Sequence, residues 1–157
     1  MIWTAPLFWV IVAVVAVFME FWAMLLHGRL WHGPMWFTHR SHHTARQGWF
    51  EFNDIFAVFH AAIAIALIIG GLEGLSGTAQ LVAVAAGIGM TVFGMAYFAV
   101  HDGLIHGRLP VAFLARLEWI RRIRNAHQVH HVKDAQPYGL FLGPWELKRV
   151  RVRNRRA

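Results

Sequence analysis

Three long apolar stretches constrain this chain more than any other feature. Pro6 to Leu26 carries one charge, Glu20; Ile55 to Gly71 carries none, though it contains His60; Ala79 to Val100 carries none. A helix rises about 1.5 Å per residue, so a stretch like the third spans roughly the 30 Å hydrocarbon core of a bilayer. The middle stretch is short by that standard and needs Phe50, Phe52 and the residues after Gly71 to complete it. With 157 residues, 57% of them hydrophobic and eight of them Trp, too little polar sequence remains to wrap three such helices in a water-soluble core. The expected fold is therefore all-α: an integral membrane helical protein, read as one domain over residues 1–157, with spans near 6–26, 54–71 and 79–100. The N-terminal stretch lacks a basic leader and is longer than a secretory h-region, so it is expected to be a retained span.

Charge orients these spans. All fifteen Lys and Arg lie either between Leu26 and Asn53 (Arg29, Arg40, Arg46) or after Val100. The positive-inside rule then places the N-terminus outside and the C-terminus in the cytoplasm, with a bacterial cytoplasmic membrane as the expected setting. The Gly-rich turn GGLEGLSG closes the second and third spans into an antiparallel hairpin. The segment from Arg108 to Val132 reads as one or two helices at the membrane surface. The basic tail, residues 148–157, reads as a mobile stop-transfer run touching anionic lipid rather than as a nucleic-acid footprint.

Ten of the eleven histidines fall into an ordered pattern, H-x4-H then H-x2-H-H, written twice. The boxes are HGRLWH (His27, His32), HRSHH (His39, His42, His43), HDGLIH (His101, His106) and HQVHH (His127, His130, His131). Neutral imidazole is the commonest side-chain metal ligand, and ten are too many for one ion. On a helix, residues at i, i+3 and i+4 share a face, so HRSHH and HQVHH should each present three rings together. The i, i+5 pairs lie about 140° apart on an ideal helix. They should serve different ions, or the helix should end between them, an end that the nearby Gly28, Gly33 and Gly103 favour.

Without Cys, thiolate zinc, iron–sulfur and thiolate-haem sites are excluded. Nitrogen-rich sites with open positions suit Fe2+ that activates O2, and a membrane setting favours a lipophilic substrate. Asp102, Glu51, Asn53, Asp54 and His60 are candidates for steadying a ligand imidazole. The plainer readings are helix capping for Asn53 or Asp54, a boundary charge for Asp102, and a packed, hydrogen-bonded ring for His60.

The four boxes, together with GWFEFNDIFAVFHAAIAIAL and YFAVHDGLIHGRLP, resemble the bacterial β-carotene hydroxylases, a branch of the fatty acid hydroxylase superfamily of membrane di-iron proteins. The resemblance runs from about His27 to Gly143. It includes Gly48, Phe50, Glu51, Asn53, Asp54, Arg121 and Arg122, and none of the ten box histidines is missing. It implies two iron ions held by the ten box histidines, with zinc a substitute in purified material. It also implies O2 as co-substrate, and electrons from NAD(P)H through a ferredoxin and its reductase. The implied reaction is hydroxylation at ring carbon 3 of a β-ionone ring, carrying β-carotene through β-cryptoxanthin to zeaxanthin, with canthaxanthin to astaxanthin a further case. The basic face would steer an acidic ferredoxin. A di-iron hydroxylase or desaturase of fatty acyl chains or sterols shares the boxes and differs in the flanking sequence. A metal transporter would place its ligands near mid-bilayer, whereas these flank the spans. The division of ten histidines between two ions stays open at this level.

Overall fold

The computed structural model describes residues 1–45 and 48–154, and side chains as far as Arg151. Arg46, counted above for orientation, and the tail end 155–157 lie outside the described residues. Among the described residues the chain is helical and forms no strand. Its α-helices are α1 (Pro6–Leu26), α2 (Trp36–His43), α3 (Ile55–Gly74), α4 (Gly77–Tyr97), α5 (Glu118–Lys133) and α6 (Gly143–Asn154).

Three continuous helical stretches, Pro6–Trp31, Phe52–Gly74 and Gly77–Ile105, are long and apolar enough to cross a membrane. The chain is a membrane protein, with three such helices among the described residues. Between 11% and 28% of each span's most apolar window is buried within the protein, so the rest of that apolar surface is left for lipid. The first and third stretches run past the ends expected from sequence. Each passes without a break into a π-helical segment, His27–Trp31 after α1 and Phe98–Ile105 after α4. The turn between α3 and α4 narrows to Leu75–Ser76, with Gly77 at φ 57° supplying the left-handed residue that reverses the chain.

The chain divides into two compact units. The first comprises Met1–Met19 and Asp54–Met95. Its core is Phe8, Val12, Val84 and Ala85, with Ile2, Ile11, Leu81 and Ile88 packed around them. Small residues set the approach of its helices, as expected where lipid supplies no hydrophobic drive between them. A Cβ on Gly89 would fall 2.7 Å from the Val12 carbonyl oxygen and 2.8 Å from the Val15 Cβ, and one on Gly87 would fall 2.8 Å from the Ala64 carbonyl oxygen. Glycine in α4 thus lets both α1 and α3 come close. Gly89→Leu is expected to cost about 1–3 kcal/mol through overpacking. It should lower the thermal midpoint of detergent-solubilised protein followed by far-ultraviolet circular dichroism; an unchanged midpoint would mean the contact is slack.

The second unit comprises Glu20–Asn53 and Ala96–Ala157. Ile123, Val100 and Leu140 form its apolar centre, backed by Tyr97, Ile105, Ile120 and Phe141. Helix α5 packs against α6 and against the π-helical end of α4. Its buried residues Ile123, Ala126, His127 and His130 fall at i, i+3, i+4 and i+7, the stripe of an amphipathic helix. The Arg108–Val132 segment resolves into a short 3-10 turn, Ala112–Arg116, followed by α5. The described part of the basic run, as far as Asn154, is helical as part of α6, where the Arg149 guanidinium lies 4.1 Å from the Trp145 ring centre.

Candidate metal centre

All ten box histidines belong to the second unit, and local helix geometry decides how they meet. In the π-helical segments the His32 amide donates to the His27 carbonyl at 2.9 Å, and the His106 amide to the His101 carbonyl at 3.0 Å. These i→i+5 bonds widen the turn, so residues five apart come onto one face. His27 and His32 have ring centres 5.1 Å apart, and His101 and His106 4.7 Å apart. The 140° separation of an ideal α-helix therefore does not apply, and neither Gly28 nor Gly103 ends the helix between the two rings. Gly28 has another role: a Cβ there would meet the Tyr138 ring at 2.6 Å. That ring lies 5.6 Å from His27, 5.3 Å from His32 and 5.7 Å from His130.

The second boxes do not act as units of three. One group of converging ring nitrogens comprises His27, His32, His39, His43 and His130; the other comprises His42, His106, His127 and His131. On α2, His39 and His43 turn to the first group while His42 turns to the second. On α5, His127 and His131 belong to the second group while His130 crosses to the first. His101 flanks the second group, stacked on His42 at 4.6 Å and lying 4.7 Å from both His106 and His127.

Hydrogen bonds fix which nitrogen faces inward. His27 Nδ1–H donates to the Tyr138 carbonyl at 2.8 Å, His39 Nδ1–H to Asn53 Oδ1 at 2.7 Å, and His130 Nδ1–H to the Ala135 carbonyl at 2.8 Å. His42 Nδ1–H donates to Glu51 Oε2 and His101 Nδ1–H to Asp102 Oδ2, both at 3.1 Å. His43 Nδ1 lies 2.7 Å from Asp134 Oδ1. With Nδ1 protonated, each Nε2 keeps a bare lone pair.

Those Nε2 atoms approach one another closely: His27 to His39 at 3.0 Å, His32 to His130 at 3.2 Å, His39 to His43 at 3.2 Å, His127 to His131 at 2.9 Å and His106 to His127 at 3.4 Å. Two lone pairs facing each other repel. Two nitrogens bound to one ion at 2.0–2.1 Å, 90–110° apart, would be separated by about 2.9–3.4 Å. The spacing is that of a coordination polyhedron. His42 Nε2 is buried with no hydrogen-bond partner, as a ligand atom should be.

The protonation states agree. Burial, with crowding by neighbouring imidazoles, pushes His32 and His130 down to about 4 and His39 and His106 down to about 3. It drives His42 and His127 well below the usual histidine range. At neutral pH these rings are uncharged donors.

The remaining candidates separate. Glu51, Asn53 and Asp102 each hold a box imidazole. Asp54 occupies the position before α3 without a side-chain capping bond. Asn53, whose capping was the plainer expectation, gives its amide oxygen to His39 instead. His60 donates through Nδ1 to the Phe56 carbonyl one turn back at 2.8 Å, a packed ring bonded within its own helix.

Sequence reasoning passed over Arg108, which lies 3.4 Å from Glu51 Oε2 and 3.2 Å from Asp102 Oδ1. The available signal was the repeated HGRL, at His27 and again at His106. It also passed over Tyr138 and the carboxylates that hold its loop. Glu146 Oε2 accepts from the Tyr138 and Gly139 amides at 2.8 and 3.0 Å, and Glu20 Oε1 accepts from the Leu142 amide at 2.8 Å.

Residues 12–147 match the family model described as fatty acid hydroxylase. The chain belongs to the fatty acid hydroxylase family. Within it, this hydroxylase-family chain is 50% identical over 139 residues to "Beta-carotene hydroxylase 1, chloroplastic" of Capsicum annuum, covering 87% of this chain and 44% of that protein. It is 50% identical over 137 residues to "Beta-carotene 3-hydroxylase, chloroplastic" of Gentiana lutea, covering 86% of this chain and 42% of that protein. It is 45% identical over 122 residues to "Beta-carotene hydroxylase" of Pseudescherichia vulneris, covering 78% of this chain and 65% of that protein. The chain thus spans less than half the length of the plant relatives and about two thirds of the bacterial one. No solved structure matches it.

Proposed function

We propose that this chain hydroxylates β-carotene at ring carbon 3, giving β-cryptoxanthin and then zeaxanthin, with canthaxanthin to astaxanthin as a parallel use of the same site. The observation that carries this reading is the convergence of neutral, buried imidazoles into two adjacent groups, in a chain about half identical to proteins that carry that activity in their names.

In this reading His27, His32, His39, His43 and His130 hold one ion, and His42, His101, His106, His127 and His131 hold the other. Iron is the metal proposed, and zinc, which favours the same nitrogen donors, is the contaminant to expect in purified protein. Iron supplies the O2 activation that breaking a ring C–H bond requires and that side chains lack. Overall, one C–H bond becomes C–OH, and the second oxygen atom leaves as water after two electrons and two protons arrive.

The protein's own part is positional. Tyr138, Asn53, Ala135, Glu51 and Asp102 fix ring orientation and tautomer, and burial keeps the donors neutral. The electrons come from NAD(P)H through a ferredoxin, drawn to the basic residues after Val100. The setting proposed is a bacterial cytoplasmic membrane, with the N-terminus outside and the histidines at the cytoplasmic face.

Cells engineered to accumulate β-carotene provide the test. Expression of this chain should yield more polar carotenoids heavier by one and by two oxygen atoms, the latter co-migrating with authentic zeaxanthin. Unchanged pigment from well-expressed, iron-loaded protein with a working electron donor would remove β-carotene as the substrate and turn the search to keto-carotenoids and membrane lipids.

A further inference from the structure

The groups behind the two sets of imidazoles differ in charge. In the set of His27, His32, His39, His43 and His130, the acceptors behind His27, His130 and His39 are neutral: the Tyr138 and Ala135 carbonyls and the Asn53 amide. Among the described residues the carboxylate that reaches a ring of this set is Asp134, whose side chain is 60% exposed, where water screens it.

Behind His42 and His101 the acceptors are the carboxylates of Glu51 and Asp102, with side chains 5% and 15% exposed. Arg108, its side chain 7% exposed, lies between them, 3.4 Å from Glu51 Oε2 and 3.2 Å from Asp102 Oδ1. A chain of hydrogen bonds and ion pairs therefore runs from His42 through Glu51, Arg108 and Asp102 to His101. One end, His42, belongs to the converging group His42, His106, His127 and His131, and the other, His101, is stacked on it at 4.6 Å.

A carboxylate behind an imidazole fixes its orientation and makes it a stronger donor than a carbonyl or amide does. Two carboxylates and one guanidinium leave a net negative charge near a position meant for a cation, in surroundings that screen it weakly. The arginine is needed because two buried carboxylates in one region repel and tend to take up protons. Its planar fork also reaches both at once, which a lysine ammonium does not match.

We infer that the two ion positions are electrostatically unequal, and that Arg108 is the positioning residue that sets one of them by holding Glu51 and Asp102 against His42 and His101. This rests on the two-ion reading above. Arg108 touches neither ion nor substrate in this scheme; it acts through two carboxylates on two rings. The position it serves is the one bounded by His42, His101, His106, His127 and His131.

The test is anaerobic loading of the full chain in detergent with 57Fe2+, read by metal content against a competing chelator and by Mössbauer spectroscopy. Unaltered protein should bind two ions and show two distinguishable quadrupole doublets of equal area. Arg108→Gln should weaken one ion by about 10–100-fold, the range for residues that support metal ligands, and deplete one doublet while the other stays unchanged. Arg108→Lys should restore part of the loss. Glu51→Gln should deplete the same doublet, which keeps the idea testable if Arg108→Gln fails to fold. Asn53→Ala should deplete the opposite one.

Equal weakening of both ions by Arg108→Gln and Glu51→Gln, or no effect of either, would overturn the assignment. Unaltered protein that takes up fewer than two ions would instead overturn the two-ion reading beneath it.

Discussion

His130→Ala is expected to reduce bound metal from two ions per chain to about one, and carotenoid hydroxylation by more than about 100-fold. His130 sits on α5 beside His127 and His131, yet its Nε2 lies 3.2 Å from His32 Nε2 in the set built mainly from the first half of the chain. Its loss strips that set of the one ligand contributed by the second half. Four histidines remain in it, all from residues 27–43, while the other set keeps every member. Changes to residues that merely support a metal ligand already cost 10–100-fold in affinity or activity, so loss of the ligand itself should exceed that. His42→Ala should give the mirror result, because His42 is the crossing ligand in the other direction. Metal content by elemental analysis and pigment yield in β-carotene-accumulating cells measure both effects. Two ions retained in His130→Ala would show that the ring is packed at the site without ligating.

Metal-free protein is expected to lose stability steeply as pH falls below about 6.5. His39 and His130 are buried, at 2% and 0% exposure, and burial holds them at about 3 and about 4 in the folded chain. An unfolded histidine titrates near 6.5. Between those values the unfolded chain binds protons that the folded chain refuses, so acid favours unfolding. The stabilisation is complete above pH 6.5, declines as pH falls, and is fully lost once pH passes below about 3–4. Each such ring contributes a slope approaching about 1.4 kcal/mol per pH unit within that window. Bound metal should move the onset of instability to lower pH, since protons must displace it from the same nitrogens. Thermal midpoints of stripped and iron-loaded protein between pH 8 and 4 would show this. A stripped protein with a flat profile down to pH 5 would mean that the imidazoles open to water and titrate freely when the metal leaves.

The apolar stretches and the boxes were legible because each rests on a short-range rule. Twenty uncharged residues can hardly avoid a bilayer, and histidines three and four apart share a helix face. The geometry that turns those boxes into two ion positions was not legible, because it depends on how helices depart from the ideal. An i, i+5 pair reads as divergent on an α-helix; only the π-helical segments at His27–Trp31 and Phe98–Ile105 bring the pairs together. In the same way, H-x2-H-H reads as one cluster of three until a second helix packs beside it and each box is shared between neighbours. Asn53 and Asp54 show the limit in miniature. Both are good capping residues by type, and only the distance to His39 Nδ1 shows that Asn53 is used elsewhere. Arg108 was hidden among fifteen basic residues whose positions were already explained by membrane orientation.

The exchange of His42 and His130 between the two sets has a consequence for how the chain stays closed. The second unit is assembled from Glu20–Asn53 and Ala96–Ala157, two stretches separated by the long excursion through α3 and α4. Joining the ends of such a loop carries an entropic cost that grows with its length. Many chains meet that cost with a disulfide, but this one has no cysteine. Each ion, drawing nitrogens from both stretches, would serve as a clasp across the gap, so the proposed reaction centre and the fastening of the fold would be the same atoms.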